Sequence, residues 1–141
     1  MTDSEIRFET SCDSVDWAAL KAALFADNFC NGRTPEQYER SARGSHSNIY
    51  VYDGDQVIGN ARILSDGVCN AYLVDVWVHS AYRRRGIASE MVTRLLDDLR
   101  GQHVFLFTDD MQDFYKTLGF FEQPTGMGLV IGQWLEEAKI Q

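Results

Sequence analysis

The sequence predicts an α/β domain built on one mixed β-sheet. Three observations lead there. Segments rich in β-branched and aromatic residues alternate along the chain with segments whose apolar residues recur three and four apart. The alternation reads β-α-α-β-β-β-α-β-α-β-β. The length of 141 residues with 45% apolar content suits a single domain, since domains commonly run to roughly 100–150 residues.

Residues 6–10 form a short first strand. Ser14 is placed to cap a helix through Trp17, Leu20, Lys21, Leu24 and Phe25, whose spacing gives one apolar face. Thr34-Pro35-Glu36-Gln37 opens a second helix, with a capping Thr, Pro at the first helical position and Gln at the third. Residues 48–52 and 56–64 read as strands about the turn Tyr52-Asp53-Gly54-Asp55. Residues 71–78 are a β-branched and aromatic strand interrupted by one carboxylate, Asp75. A helix over 86–100 follows, with Ile87, Met91, Leu95 and Leu99 on one stripe and Gly101 at its C-cap. Residues 103–108 form a buried strand and 111–118 a short helix ended by Gly119. Residues 120–122 and 127–131 read as a final strand pair. There is no internal repeat, low-complexity tract or linker, so residues 1–141 are expected to be one domain.

Composition excludes several classes. The start, Met1-Thr2-Asp3-Ser4-Glu5, has neither basic residues nor an apolar block, so no secretory leader is expected. No apolar run approaches the roughly 18 residues of a membrane span. Cys12, Cys30 and Cys69 form no paired motif and no metal-binding spacing with His46, His79 or His103. They are expected to be free thiols in a reducing cytoplasm, with no metal. The formal net charge of −8 argues against nucleic-acid binding.

Against that acidic background stands Tyr82-Arg83-Arg84-Arg85-Gly86-Ile87-Ala88-Ser89, between a strand and a helix. The first amides of a helix lack intrahelical acceptors and carry partial positive charge. A glycine there allows close approach to the main chain, and arginines add forked donors suited to phosphate oxygens. The unit is a candidate pyrophosphate cradle. The bland alternative is a solvated basic turn that balances Asp97 and Asp98. The sequence lacks the Gly-Lys-Ser/Thr ending of a P-loop, and Gly126-Met127-Gly128 is not a dinucleotide fingerprint.

The run from Val76-Trp77-Val78 through Arg83-x-x-Gly86-x-Ala88 resembles the central motif of the GNAT acyltransferase superfamily. Phe114-Tyr115-Lys116-Thr117-Leu118-Gly119-Phe120 resembles a second element of that family, at the expected distance and in the expected order. The resemblance implies a GNAT fold of about seven strands and about four helices, with splayed central strands. It implies acetyl-coenzyme A as co-substrate, its pyrophosphate cradled by the main chain at residues 84–89. The edges of Val76 and Val78 would bind the pantetheine arm, with Trp77, Arg83, Gln112 and Phe114 also near the coenzyme. Ala88 stands where glycine is more usual in the family. Thr108-Asp109-Asp110-Met111-Gln112 lacks the family's asparagine, and Gln112 is its candidate substitute. Tyr115 would protonate the departing thiolate. That step is chemically sound for a phenol of pKa about 10 beside a thiol near 8.5.

Acetyl transfer to nitrogen also needs a neutral amine, hence a proton acceptor. Asp75 is the leading candidate, because an ionised carboxylate on an apolar strand needs a partner or a raised pKa. Its alternative role is to pair with Arg62 or Arg84. His79 is a weaker candidate in the following turn. By the resemblance, residues 27–33 between the first two helices line the acceptor pocket. Phe29 there and Tyr72 on the strand are candidate wall residues, and the acid-plus-aromatic mixture leans toward a small cationic primary amine. A protein lysine or N-terminus would be served by the same residues. Two rival functions are an acyl-coenzyme A sensor that acts on a protein partner, and a nucleic-acid binder using Arg83 to Arg85, which the lack of a second basic patch disfavours. Trp134 and Leu135, in the tail 133–141, suggest packing on another surface, a homodimer contact among the options.

Overall fold

Residues 5–124 and 126–137 are described in a computed structural model of the chain. They fall into two compact units, Met1–Phe107 and Thr108–Gln141. The first contains β1 (Ile6–Glu9), α1 (Trp17–Ala26), α2 (Pro35–Arg43), β2 (Ser47–Asp53), β3 (Gln56–Ser65) and β4 (Asn70–Val78). A 3-10 turn, Ser80–Tyr82, then leads to α3 (Ile87–Asp97) and β5 (His103–Phe105). The second contains α4 (Gln112–Thr117).

The sheet order is β1-β2-β3-β4-β5, antiparallel except at the parallel β4–β5 junction, so the expected mixed sheet is present. The two-residue loop Gly54-Asp55 sets Asp53 opposite Gln56 and Tyr52 opposite Val57, and a bulge then shifts the register so that Val51 faces Gly59. Strand alternation then splits the core into two layers. Tyr50 and Tyr52 join Val15, Leu20, Leu24, Tyr38 and Trp77 beneath α1 and α2. On the other face Gly59 lies where a Cβ would come 3.4 Å from Met91 Sδ and 3.2 Å from the Trp77 carbonyl. The missing side chain at Gly59 is what lets α3 sit this close to the sheet.

Helix ends follow local chemistry. Thr34 and Gln37 form the full reciprocal capping box. For α1 the cap is Asp16, not Ser14: its carboxylate accepts from the Ala19 N–H at 3.0 Å and directly precedes Trp17. The third helix stops at Asp97, short of the expected residue 100. The Leu99 N–H bonds to the Leu96 carbonyl and the Gln102 N–H to the Leu99 carbonyl, so tight turns replace its last helical turn.

Five strands form among the described residues, not about seven, with four α-helices. Residues 120–122 and 127–131 make no strand. Phe121, Met127 and Leu129 are exposed, at 71%, 93% and 84%, and Gly126, Gly128 and Gly132 break up the segment. Apolar, β-branched residues become a strand when they half-bury on a pleated surface, and side chains as exposed as these are not half-buried. In the tail, Trp134 is exposed, and residues 138–141 lie outside the described residues. Strand β5 is also shorter than expected, because β4 and β5 pair only over Asn70–His103, Ala71–Val104 and Tyr72–Phe105. The β4–β5 ladder ends at the Tyr72–Phe105 pair, where β5 itself ends.

Candidate functional site

After Val78 the chain turns twice before α3 begins, and the turn is pinned from three sides. His79 Nδ1 accepts from the Ala81 N–H at 3.0 Å, which leaves the ring proton on Nε2. Asp27, at the end of α1, accepts from Trp77 Nε1–H at 2.9 Å, from the Ser80 N–H at 3.1 Å and from the Ser80 hydroxyl at 2.6 Å. Burial pushes the Asp27 carboxyl up, but these bonds outweigh it and hold the pKa below its ordinary value. Arg83 folds back onto the same turn, donating from Nε to the Val78 carbonyl at 3.1 Å and lying 3.4 Å from Asp27. Its side chain is thus occupied within the turn instead of reaching toward a ligand.

The next residues are built differently. Arg84 and Gly86 both take the left-handed conformation, at φ 65° and 78°. For Arg84 this costs about 1–2 kcal/mol, strain of the kind that collects at binding sites. Helix α3 has no side-chain cap, and the Glu90 N–H, bonded to the Gly86 carbonyl, is its first amide with an acceptor. Among the described residues the amides of Arg84, Arg85, Gly86, Ile87, Ala88 and Ser89 find none. A Cβ on Gly86 would meet nothing within 4 Å, so the space over these donors is open. Arg85 lies 5.2 Å from the Tyr82 ring centre, and Arg84 is exposed. A row of unpaired N–H groups beneath two arginines suits a multiply charged phosphate.

Strand β4 supplies a further donor. The His79 N–H bonds to the Ile58 carbonyl at 2.7 Å. By the alternation of an antiparallel ladder, the N–H of Val78 therefore points away from β3, toward the edge of β4 that β5 pairs only at residues 70–72. The strand also bulges. Asp75 and Val76 together face Ala61, and Asp75 is left-handed at φ 58°.

The Asp75 side chain explains how the bulge is held. Its carboxylate takes a two-pronged bond from Arg33, at 2.7 and 3.1 Å, and a third from Arg62 Nε at 2.9 Å. Its carbonyl accepts from Asn60 Nδ2 at 2.8 Å. The side chains of Arg33, Asp75 and Arg62 are only 7%, 10% and 12% exposed. Burial raises the Asp75 pKa, but the two guanidiniums more than offset it and the net direction is down. A carboxylate so held is a weak proton acceptor, which favours the ion-pair role over the expected base role. Arg62 is one of the partners that the sequence suggested; Arg84 is not in this network, and Arg33 was not anticipated.

The acceptor-side candidates divide. Phe29 packs against the core cluster of α1 and α2, and Trp77 is only 2% exposed within it. Tyr72 is half-buried, its ring edge-on to Phe107 at 5.8 Å. The one acid of residues 27–33 is Asp27, already fully engaged, so it provides no support for a cationic acceptor.

In the second unit, α4 presents Tyr115 with its ring edge-on to Phe120 at 5.7 Å and to Phe114 at 4.9 Å. Partial burial pushes the Tyr115 phenol above its ordinary value, keeping it protonated. Gln112 begins α4 and donates from Nε2 to the Asp109 carbonyl at 3.2 Å.

Comparison with known proteins agrees with this architecture. The chain is 29% identical over 122 residues to histone acetyltransferase TAP1 of Glycine max, covering 82% of the chain and 51% of that protein. It is 31% identical over 128 residues to GCN5-related N-acetyltransferase 2, chloroplastic, of Arabidopsis thaliana, covering 82% and 49%. The chain thus spans about half the length of these curated relatives. Among solved structures, a GNAT family acetyltransferase of Streptococcus pneumoniae TIGR4 superposes with a TM-score of 0.76 at 25% identity, covering 91% of this chain and 99% of that one. Residues 13–120 match the Acetyltransferase (GNAT) family, and on that match the chain belongs to it.

Proposed function

We propose that the chain transfers an acetyl group from acetyl-coenzyme A to a primary amine by direct attack. The observation that carries this reading is the run of six amides at residues 84–89 that have no acceptor among the described residues, opened by left-handed Gly86. These amides would hold the pyrophosphate. The N–H groups of Val76 and Val78 would hold the pantetheine arm, and one of them would meet the oxyanion of the tetrahedral intermediate. A single such donor contributes typically about 3–4 kcal/mol. Tyr115, kept protonated by burial, would give its proton to the leaving thiolate. Asp75 would act through position, holding the bulge that aims Val76, while the proton of the amine leaves to water. The acceptor is a primary amine, of a small molecule or of a protein. The test is release of free thiol from acetyl-coenzyme A in the presence of a panel of arylalkylamines, polyamines and lysine peptides. Amine-dependent release supports the reading, and its absence across the panel counts against catalysis.

A further inference from the structure

Helix α1 buries a lysine whose charge the fold leaves without a carboxylate. Lys21 is 6% exposed, and among the described residues it forms no ion pair with an acid. Its ammonium lies 4.9 Å from the Tyr38 ring centre on α2, and it donates to Cys30 Sγ at 3.3 Å. A buried ammonium needs a counter-charge, since leaving it unpaired in a medium of low polarity costs several kcal/mol. The sulfur it donates to can become an anion. Cys30 is itself exposed, in the loop between α1 and α2.

We propose that Cys30 is a modification site: a thiolate nucleophile, held by Lys21, that reacts with hydroperoxides. In the reaction the thiolate sulfur attacks one peroxide oxygen. An S–O bond forms and the O–O bond breaks. Sulfur is oxidised by two electrons to a sulfenic acid, and the departing hydroxide (from hydrogen peroxide) or alkoxide (from an organic hydroperoxide) takes a proton from solvent to become water or an alcohol. The charged groups that lower the Cys30 thiol are the cations Lys21 and Arg33, and Arg33 also carries the Asp75 carboxylate as its ion-pair partner. The Gly32 N–H bonds to it from the same loop, and burial opposes only in part. Lys21 comes from α1 and the Arg33 guanidinium from beyond Gly32, and together these draw the thiol below its ordinary value. Exposure to solvent and a cationic surrounding are the two conditions that make a cysteine reactive. The sulfenate oxygen, once formed, stays beside the same cations.

The other thiols serve as internal controls. Cys69 is also exposed, but its loop is organised around the Asp66 carboxylate, which accepts from the Cys69 N–H at 2.8 Å. Cys12 is half-buried, with Sγ 3.4 Å from the Tyr50 hydroxyl. The experiment treats the reduced protein with hydrogen peroxide and dimedone, and separately with limiting iodoacetamide, at neutral pH without acetyl-coenzyme A. Peptide mass spectrometry then reads each cysteine. Cys30 is expected to carry dimedone first and to alkylate about tenfold faster than Cys69, from its greater thiolate fraction. Lys21→Met is expected to slow Cys30 by about threefold or more and to leave Cys69 unchanged. Equal or faster labelling of Cys69 in the parent overturns the proposal, as does an unchanged Cys30 rate in a folded Lys21→Met protein. If that variant does not fold, the pH midpoint of alkylation in the parent decides. A Cys30 midpoint below that of Cys69 supports the site, and an equal or higher one overturns it. None of these readouts depends on acetyl transfer.

Discussion

Removing the Asp75 carboxylate would leave two nearly buried guanidiniums facing each other with no anion between them. Asp75→Asn is therefore expected to destabilise the fold by about 3–5 kcal/mol, measured by urea unfolding at neutral pH. The pH dependence has a definite sign. The folded-state pKa lies below the ordinary 3.8, so the contribution is present in full above the unfolded value and is lost as pH falls through the folded one. The gap between parent and variant should thus be flat at neutral pH and close only in acid; a gap that widened in acid would refute the ion-pair role. Tyr115→Phe tests the other end of the reaction. It keeps the ring contacts with Phe114 and Phe120, and should lower turnover by roughly 10²–10⁴-fold with little change in affinity for acetyl-coenzyme A. Turnover within about threefold of the parent would reduce Tyr115 to a wall residue. The sequence showed that Asp75 needed a partner, because a charge on an apolar strand is costly alone. It could not show Arg33, which lies in a loop 42 residues away and is brought in only by the fold.

At the level of elements, the strand–turn–helix unit around Gly86 makes a sharper claim than its arginines do. Gly86→Val puts a side chain over the open amides and forces a β-branched residue into a left-handed conformation at φ 78°. Arg84→Ala removes a charge but leaves the amides in place. Calorimetry with coenzyme A should find the valine variant the more impaired; equal losses would mean that side-chain charge dominates. Thr34→Ala removes one bond of the capping box of α2 and should cost about 1 kcal/mol in unfolding free energy, without altering coenzyme binding. Elements with complete local signals were legible. The Thr34–Gln37 box, the Gly54-Asp55 hairpin and the stripe of α3 each carry their instructions within a few residues. Strand β5 and residues 120–131 were not, because a strand also needs a partner that sequence spacing does not reveal. For β5 that partner extends only from Asn70 to Tyr72.

The whole molecule carries a net charge of −8, yet its candidate ligand is a polyanion. At physiological salt, charges beyond about 8 Å are screened, so a phosphate over Gly86 responds chiefly to the arginine turn. Saturating coenzyme A, at about a hundred times its dissociation constant, should stabilise the protein by about 2.7 kcal/mol, and adenosine diphosphate by less. A thermal scan unmoved by coenzyme A would remove the basis of the proposed function. The end of the β4–β5 ladder at Tyr72–Phe105 has a consequence for handling. A strand edge with unpaired donors is a template for any extended chain, a second molecule included. Without coenzyme A, concentrated protein should scatter light on gentle warming as these edges find one another. With coenzyme A lying along β4 it should stay clear, so that the co-substrate also serves as the strand's colloidal guard.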